Sequence, residues 1–257
     1  PLPEADRAGG GGSGEQGPEA AAEPDLEPDA EPAEAPDPGP DESRLALGAQ
    51  LGVAAAFALL AMVRLRGMPV WSELVRALYR LGGALPLPHP NYLVNPVLYV
   101  VLPGAAVLML GAGWRGLGFR KGWRAWRVMA VWSVPVVAVW IYGVASGRVG
   151  IGRIVRTVIS HTFQNGFGEE FLWRGVIQTR LARLWTPGWG LVVASLGFGW
   201  WHIGSIHDWA GDDLLLTAAL NVVVQAPMGL ALGVIFDRTR NLLAPSVVHV
   251  VANAVEV

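Results

Sequence analysis

Two glutamates stand side by side in GEEFLWRG, residues 168–175, and an arginine follows four residues after the second. The run around them, roughly residues 154–178, is mostly Val, Ile, Leu, Phe, Trp, Gly and Thr. On a helix Glu170 and Arg174 share a face, with the acid N-terminal to the base, the better order for an ion pair. Glu169 is turned about 100° away and has no basic residue in reach on its own helix. Arg174 can therefore hold Glu170 ionised, which leaves Glu169 free to take a proton from a water molecule. Two more polar clusters interrupt apolar runs downstream. FGWWH (198–202) puts Phe198 four residues before His202, where the ring can brace the imidazole; HVVAN (249–253) spaces His249 and Asn253 in the same way. Carboxylate, imidazole and amide donor together form a set for hydrolysis. Glu169 and His202 would hold and deprotonate a water, and His249 and Asn253 would donate to the oxyanion of a tetrahedral intermediate. His161, Gln164, Asn165, Asn221 and Gln225 are lesser members of the polar set. The bland alternatives are acids at a membrane boundary, with Arg174 facing water, and histidines hydrogen-bonded within the core.

The elements that must carry these residues are apolar helices. Of the 257 residues 52% are hydrophobic and 16% charged, with a mean hydropathy of +0.38; soluble domains carry about 25% charged residues. A bilayer-crossing helix needs about 20 apolar residues. Suitable stretches are 45–63, 92–113, 128–147, 154–178, 189–206, 214–236 and 241–257, which predicts an all-α, polytopic transmembrane bundle of about seven spans. Between the first two, MPVWSELVRALYRLGG alternates apolar and charged residues at helical spacing and reads as an amphipathic helix in the interface. Of the 12 tryptophans, Trp71, Trp114, Trp123, Trp185, Trp189 and Trp209 fall near the ends of apolar runs, as an aromatic belt would.

Charge is divided along the chain. Residues 1–43 hold 13 acids and one base, Arg7, while the rest holds 8 acids and 18 bases. The first segment, rich in Pro, Glu, Asp, Ala and Gly, cannot bury enough apolar surface to order itself and reads as a disordered acidic tail. It lacks the pattern of a signal peptide, and solubility is its expected role. This gives three regions: the tail at 1–43, N-terminal membrane helices at 44–149 with the interfacial helix among them, and a membrane core carrying the motifs at 150–257. The basic 114–127 loop, with the loops of Arg180/Arg183 and Arg238/Arg240, predicts one side as cytoplasmic. The acidic 207–213 loop, with His207 and Asp208 as a solvated pair, is then external, the tail inside and the C-terminus outside.

GEEFLWRG, FGWWH and HVVAN, in this order on successive helices, resemble the EExxxR, FxxxH and HxxxN motifs of the CPBP family of intramembrane glutamic endopeptidases, named for CAAX processing and bacteriocin processing. GLALGVIFDRTRNLLAPSVVH resembles the family's approach to its last motif, and the resemblance covers roughly 150–257. It implies that Glu169 is the water-activating base with His202, that Glu170 and Arg174 support it, and that His249 and Asn253 serve the oxyanion or the site's architecture. It also implies the lipid bilayer and a membrane-bound protein or peptide as partners, with no nucleic acid, cofactor or metal. A bacterial cytoplasmic membrane is the expected location. The chain runs four residues past Asn253, so the last span is short; either more chain follows or the site lies near the external face.

Competing chemistries fit less well. There is no cysteine, which excludes disulfides, thiolate catalysis and Cys-ligated metal. HExxH is absent, WAGDD (209–213) lacks the first glycine of GxGD, and Ser246 has no GxSG around it. A metal held by Glu169, His202 and His249 is an alternative on residue types alone. A transporter would also place ionisable residues inside the membrane, but the chain has no internal repeat of the kind many transporters use. A non-catalytic scaffold or immunity protein of the same family is the third alternative.

Overall fold

A computed structural model describes residues 43–63, 69–119, 125–204 and 213–254. All the regular elements among the described residues are helices, in keeping with the all-α expectation. The acidic tail at 1–42, the loop at 205–212 with His207 and Asp208, and Trp123 and Trp209 lie outside them.

In chain order the helices are α1 (Arg44–Val63), α2 (Pro69–Ala84), α3 (Asn91–Met109), α4 (Ala125–Ala145), α5 (residues 151–184), α6 (Pro187–Trp201, continued by a 3-10 turn at His202–Gly204), α7 (Leu214–Thr239) and α8 (Leu243–Asn253). Two of them are not regular. A π turn at Val97–Val101 interrupts α3 between Pro96 and Pro103, which have no N–H to give the ladder. In α5, π turns occupy Thr162–Gly166 and Phe171–Gln178, on either side of the glutamates.

Among the described residues four helices are long and apolar enough to cross a membrane: Arg44–Met62, Asn91–Met109, Ala125–Ala145 and Leu215–Thr239. The other three expected spans are helical but differ in kind. The α6 helix has 15 residues and α8 has 11, about 22 and 16 Å at 1.5 Å per residue, short of a ~30 Å hydrocarbon core. The α5 run is long but carries seven charged side chains from Arg153 to Arg183.

The core joins both parts of the chain. Phe171, Leu172, Trp173, Val176 and Ile177 of α5 pack with Ala194, Phe198 and Trp201 of α6, with Ala54, Ala58 and Ala61 of α1 and with Leu98 and Tyr99 of α3. Polar ties reinforce this: Trp201 Nε1 donates to the Ala58 carbonyl at 2.7 Å, and Arg44 donates to Leu184 O at 3.0 Å. Helices associate in a membrane where small residues let backbones approach, and Gly199 shows why. A Cβ there would stand 3.0 Å from Ala226 N and Val222 Cα of α7.

The α2 helix is amphipathic, as its spacing predicts: Glu73, Arg76 and Arg80 are exposed, while Val75, Leu78 and Tyr79 pack against the core. Trp71 belongs to that packing, only 9% exposed, and lines a small space between α1, α2 and α3 with Leu60, Tyr79 and Leu98. It is thus not a belt residue, whereas Trp114, Trp185 and Trp189 are exposed near helix ends.

Candidate active site

The two glutamates are placed by α5, and a close approach on each side sets their depth. Gly168 lies under the Tyr99 ring of α3, and Gly166 faces α8, where a Cβ would run into Val250. The π turns between which the glutamates sit free backbone carbonyls from the regular ladder, a feature common at functional sites, and side chains take up several of them. Asn95 of α3 donates to Gln164 O at 2.6 Å, Thr179 to Arg174 O at 2.8 Å, and Arg180 to Gly175 O at 2.9 Å.

Glu170 and Arg174 are both fully buried and form the ion pair their spacing predicts, Oε2 to Nε 3.2 Å. The other oxygen of Glu170 accepts a hydrogen bond from His249 Nδ1 at 2.9 Å. Glu169, also buried, turns away from this pair. Its Oε2 lies 3.6 Å from His202 Nε2 and 4.0 Å from His249 Nε2, so residues from α5, the end of α6 and α8 converge on one carboxylate.

The imidazoles are oriented by their far nitrogens. His202 Nδ1 is 2.7 Å from the Phe198 carbonyl, which can only accept; Nδ1 therefore carries the hydrogen, and in the neutral ring Nε2 presents a lone pair toward Glu169. Phe198 joins the cluster from below. Its ring meets His202 edge-on at 4.5 Å and His249 at 6.1 Å between centroids, and the Arg174 guanidinium lies 4.9 Å above it. Such a cation–π contact offsets part of the cost of burying the arginine. The guanidinium's two Nη groups are buried without a hydrogen-bond partner among the described residues.

Five of the six sequence-selected residues thus come together, and Asn253 does not join them by a bond. It ends α8, one turn past His249, half-buried, and its side chain has no hydrogen-bond partner among the described residues. The lesser polar residues sort otherwise. Asn221 donates to Thr217 O and Gln164 to Ser160 Oγ, each four residues back. Ser246 gives its hydroxyl to Leu242 O at 2.8 Å, a backbone bond that leaves it a structural residue. Among the described residues no three His, Asp or Glu side chains are grouped so as to hold a metal ion.

Sequence spacing missed two contacts and misplaced one residue. The His249–Glu170 bond spans 79 positions, and no local pattern encodes it. The contact of Arg174 with Phe198 is equally non-local. Arg180, expected in a cytoplasmic loop, is instead wholly buried in α5, donating to Gln50 Oε1 of α1 at 3.0 Å and to Gly116 O at 3.0 Å as well as to Gly175 O. Its charge is consumed in tying α1 and the 114–117 turn to α5, so it does not report membrane orientation. A basic residue six past another on a helix with an apolar surround is the one hint the sequence held.

No curated protein and no solved structure matches the chain. Residues 151–255, the stretch that contains all six candidate residues, match the family model described as Type II CAAX prenyl endopeptidase Rce1-like. Over this part of its length the chain carries a Rce1-like CAAX-protease domain with a buried Glu–His cluster.

Proposed function

We propose that the protein is an intramembrane glutamic endopeptidase of the CPBP type, cutting a peptide bond of a membrane-associated substrate with a water activated by Glu169 and His202. The observation that carries this reading is the convergence of two imidazole Nε2 atoms, 3.6 and 4.0 Å away, on Oε2 of Glu169, the buried carboxylate that is not paired with Arg174. Glu169 Oε2 and the Nε2 lone pair of His202 are two acceptors facing one space, which holds a water by its two hydrogens. Glu169 takes one proton as the oxygen adds to the scissile carbonyl. His249, when protonated, has an Nε2–H to give the oxyanion while its Nδ1–H stays on Glu170, and Asn253 is the second donor assigned to that role. Collapse of the tetrahedral intermediate breaks the C–N bond, and the proton held by Glu169 passes to the leaving amine. Glu170, clamped by Arg174, keeps His249 turned inward.

The family description suggests C-terminal tails that carry a prenylated cysteine as the substrate class; peptide leaders and bacterial sorting tails are the other substrates such enzymes process. The test is cleavage of a prenylated CAAX peptide, and of the membrane proteins that accumulate when the enzyme is absent, by protein reconstituted in lipid. Glu169→Gln and His202→Ala should each lower kcat by about 10²–10⁴-fold, the worth of a general base, with thermal unfolding near that of the parent. Unchanged cleavage in either variant would sink the mechanism. Loss of activity with a chelator, restored by one added divalent ion, would favour a metal held by Glu169, His202 and His249 instead.

A further inference from the structure

The first eleven residues of α5, Ile151–His161, differ from the rest of that helix. None of them is buried. Ile151, Val155 and Ile159, at helical spacing, are 65%, 48% and 45% exposed, with Ile154 and Val158 beside them, while Arg153 and Arg156 stand exposed on the opposite face. An apolar stripe with arginines behind it marks a helix that lies in a membrane interface.

Its place in the chain says the same. The membrane-length helix α4 ends at Ala145, and the chain turns at once: Gly147 adopts φ +70°, and Arg148 N and Val149 N both donate to Gly143 O, at 2.9 and 3.1 Å. Gly150 caps the new helix, so it starts within six residues of the end of a span, at the level of the headgroups. Arg148 lies there too, 5.3 Å over the exposed Tyr142 ring. From residue 74 to residue 168 the sequence has ten basic residues and no acid, so nothing on these elements neutralises Arg148, Arg153 and Arg156.

We infer that Ile151–His161 lies in the plane of the membrane and binds anionic lipid headgroups through Arg148, Arg153 and Arg156, its isoleucine and valine face in the acyl chains. The π turn at Thr162–Gly166 joins it to the buried stretch that carries the glutamates. Juxtamembrane arginines of this kind strengthen binding to an anionic surface about fivefold each. The inference does not depend on the protein being a protease.

The chain has no cysteine, so single cysteines can be spin-labelled without background. Each position from 151 to 161 is labelled in turn, and depth is read from collisions with oxygen and a nickel chelate, in phosphatidylcholine vesicles with and without 30% phosphatidylglycerol. An in-plane helix gives accessibility with a period of about 3.6 residues: oxygen favoured at 151, 155 and 159, at ~5–10 Å depth, nickel favoured at 153, 156 and 157, and no net gradient. A steady increase in depth of about 1.5 Å per residue would mean a crossing helix and overturn the inference. So would nickel access at every position. Phosphatidylglycerol should deepen the label at 155, and Arg148→Gln/Arg153→Gln/Arg156→Gln should remove that response; equal depth in both lipids overturns the headgroup contact.

Discussion

Helices α4 and α5 follow one another and are held in opposite ways. In α4 only Ala125 and Gly143 are buried, and Val131, Trp132, Val134, Ile141 and Tyr142 are all more than half exposed. In α5 the eight residues Phe171–Gln178 are all buried, and the buried set includes Glu169, Glu170, Arg174 and Arg180. The greasier helix faces outward, and the charges that α5 carries between residues 169 and 180 face inward. Water would impose the reverse order; a hydrocarbon surround imposes this one, because it solvates valine and cannot solvate a carboxylate. The protein interior is the most polar place on offer, and there charges survive by pairing with each other and with freed carbonyls.

Removing a partner inside α5 breaks that arrangement at its strongest point. Arg174→Met leaves Glu170 buried beside only His249 and should cost about 3–5 kcal/mol, seen as a lowered unfolding midpoint in bicelles. The double variant Glu170→Gln/Arg174→Met should recover part of it, since an uncompensated charge is worse than none. Adding a charge to α4 probes the other side. Val134→Arg should cost about 2.5–3.5 kcal/mol in a membrane-insertion assay; no penalty would show that this face meets water. Contacts between helices come next. Gly199→Leu pushes α6 off the α7 backbone and should lose about 1–3 kcal/mol, with the site disturbed because His202 follows three residues later. Smallest is Val134→Leu, expected within ~0.5 kcal/mol in unfolding measurements, because lipid repacks where protein does not.

Much of the site was legible. Glu170 and Arg174 pair because four residues make one helical turn, and Phe198 braces His202 for the same reason. The helical class followed from long apolar runs. The number of spans is a separate matter. The α6 and α8 segments look apolar enough in sequence, yet they end at 15 and 11 residues, and hydropathy does not reveal where a helix stops. Arg180 was misread because a basic residue in a loop and one in a core have the same one-letter code.

The sequence by itself determined which residues carry charge into an apolar chain and which of them share a helical face, since both depend only on side-chain chemistry and a fixed 3.6-residue period. Only the tertiary structure decided that Glu169 faces His202 and His249 while Glu170 is held from both sides by Arg174 and His249. Those contacts join α5, α6 and α8, and they rest on π turns and glycine approaches that set the rotation and depth of one helix against another.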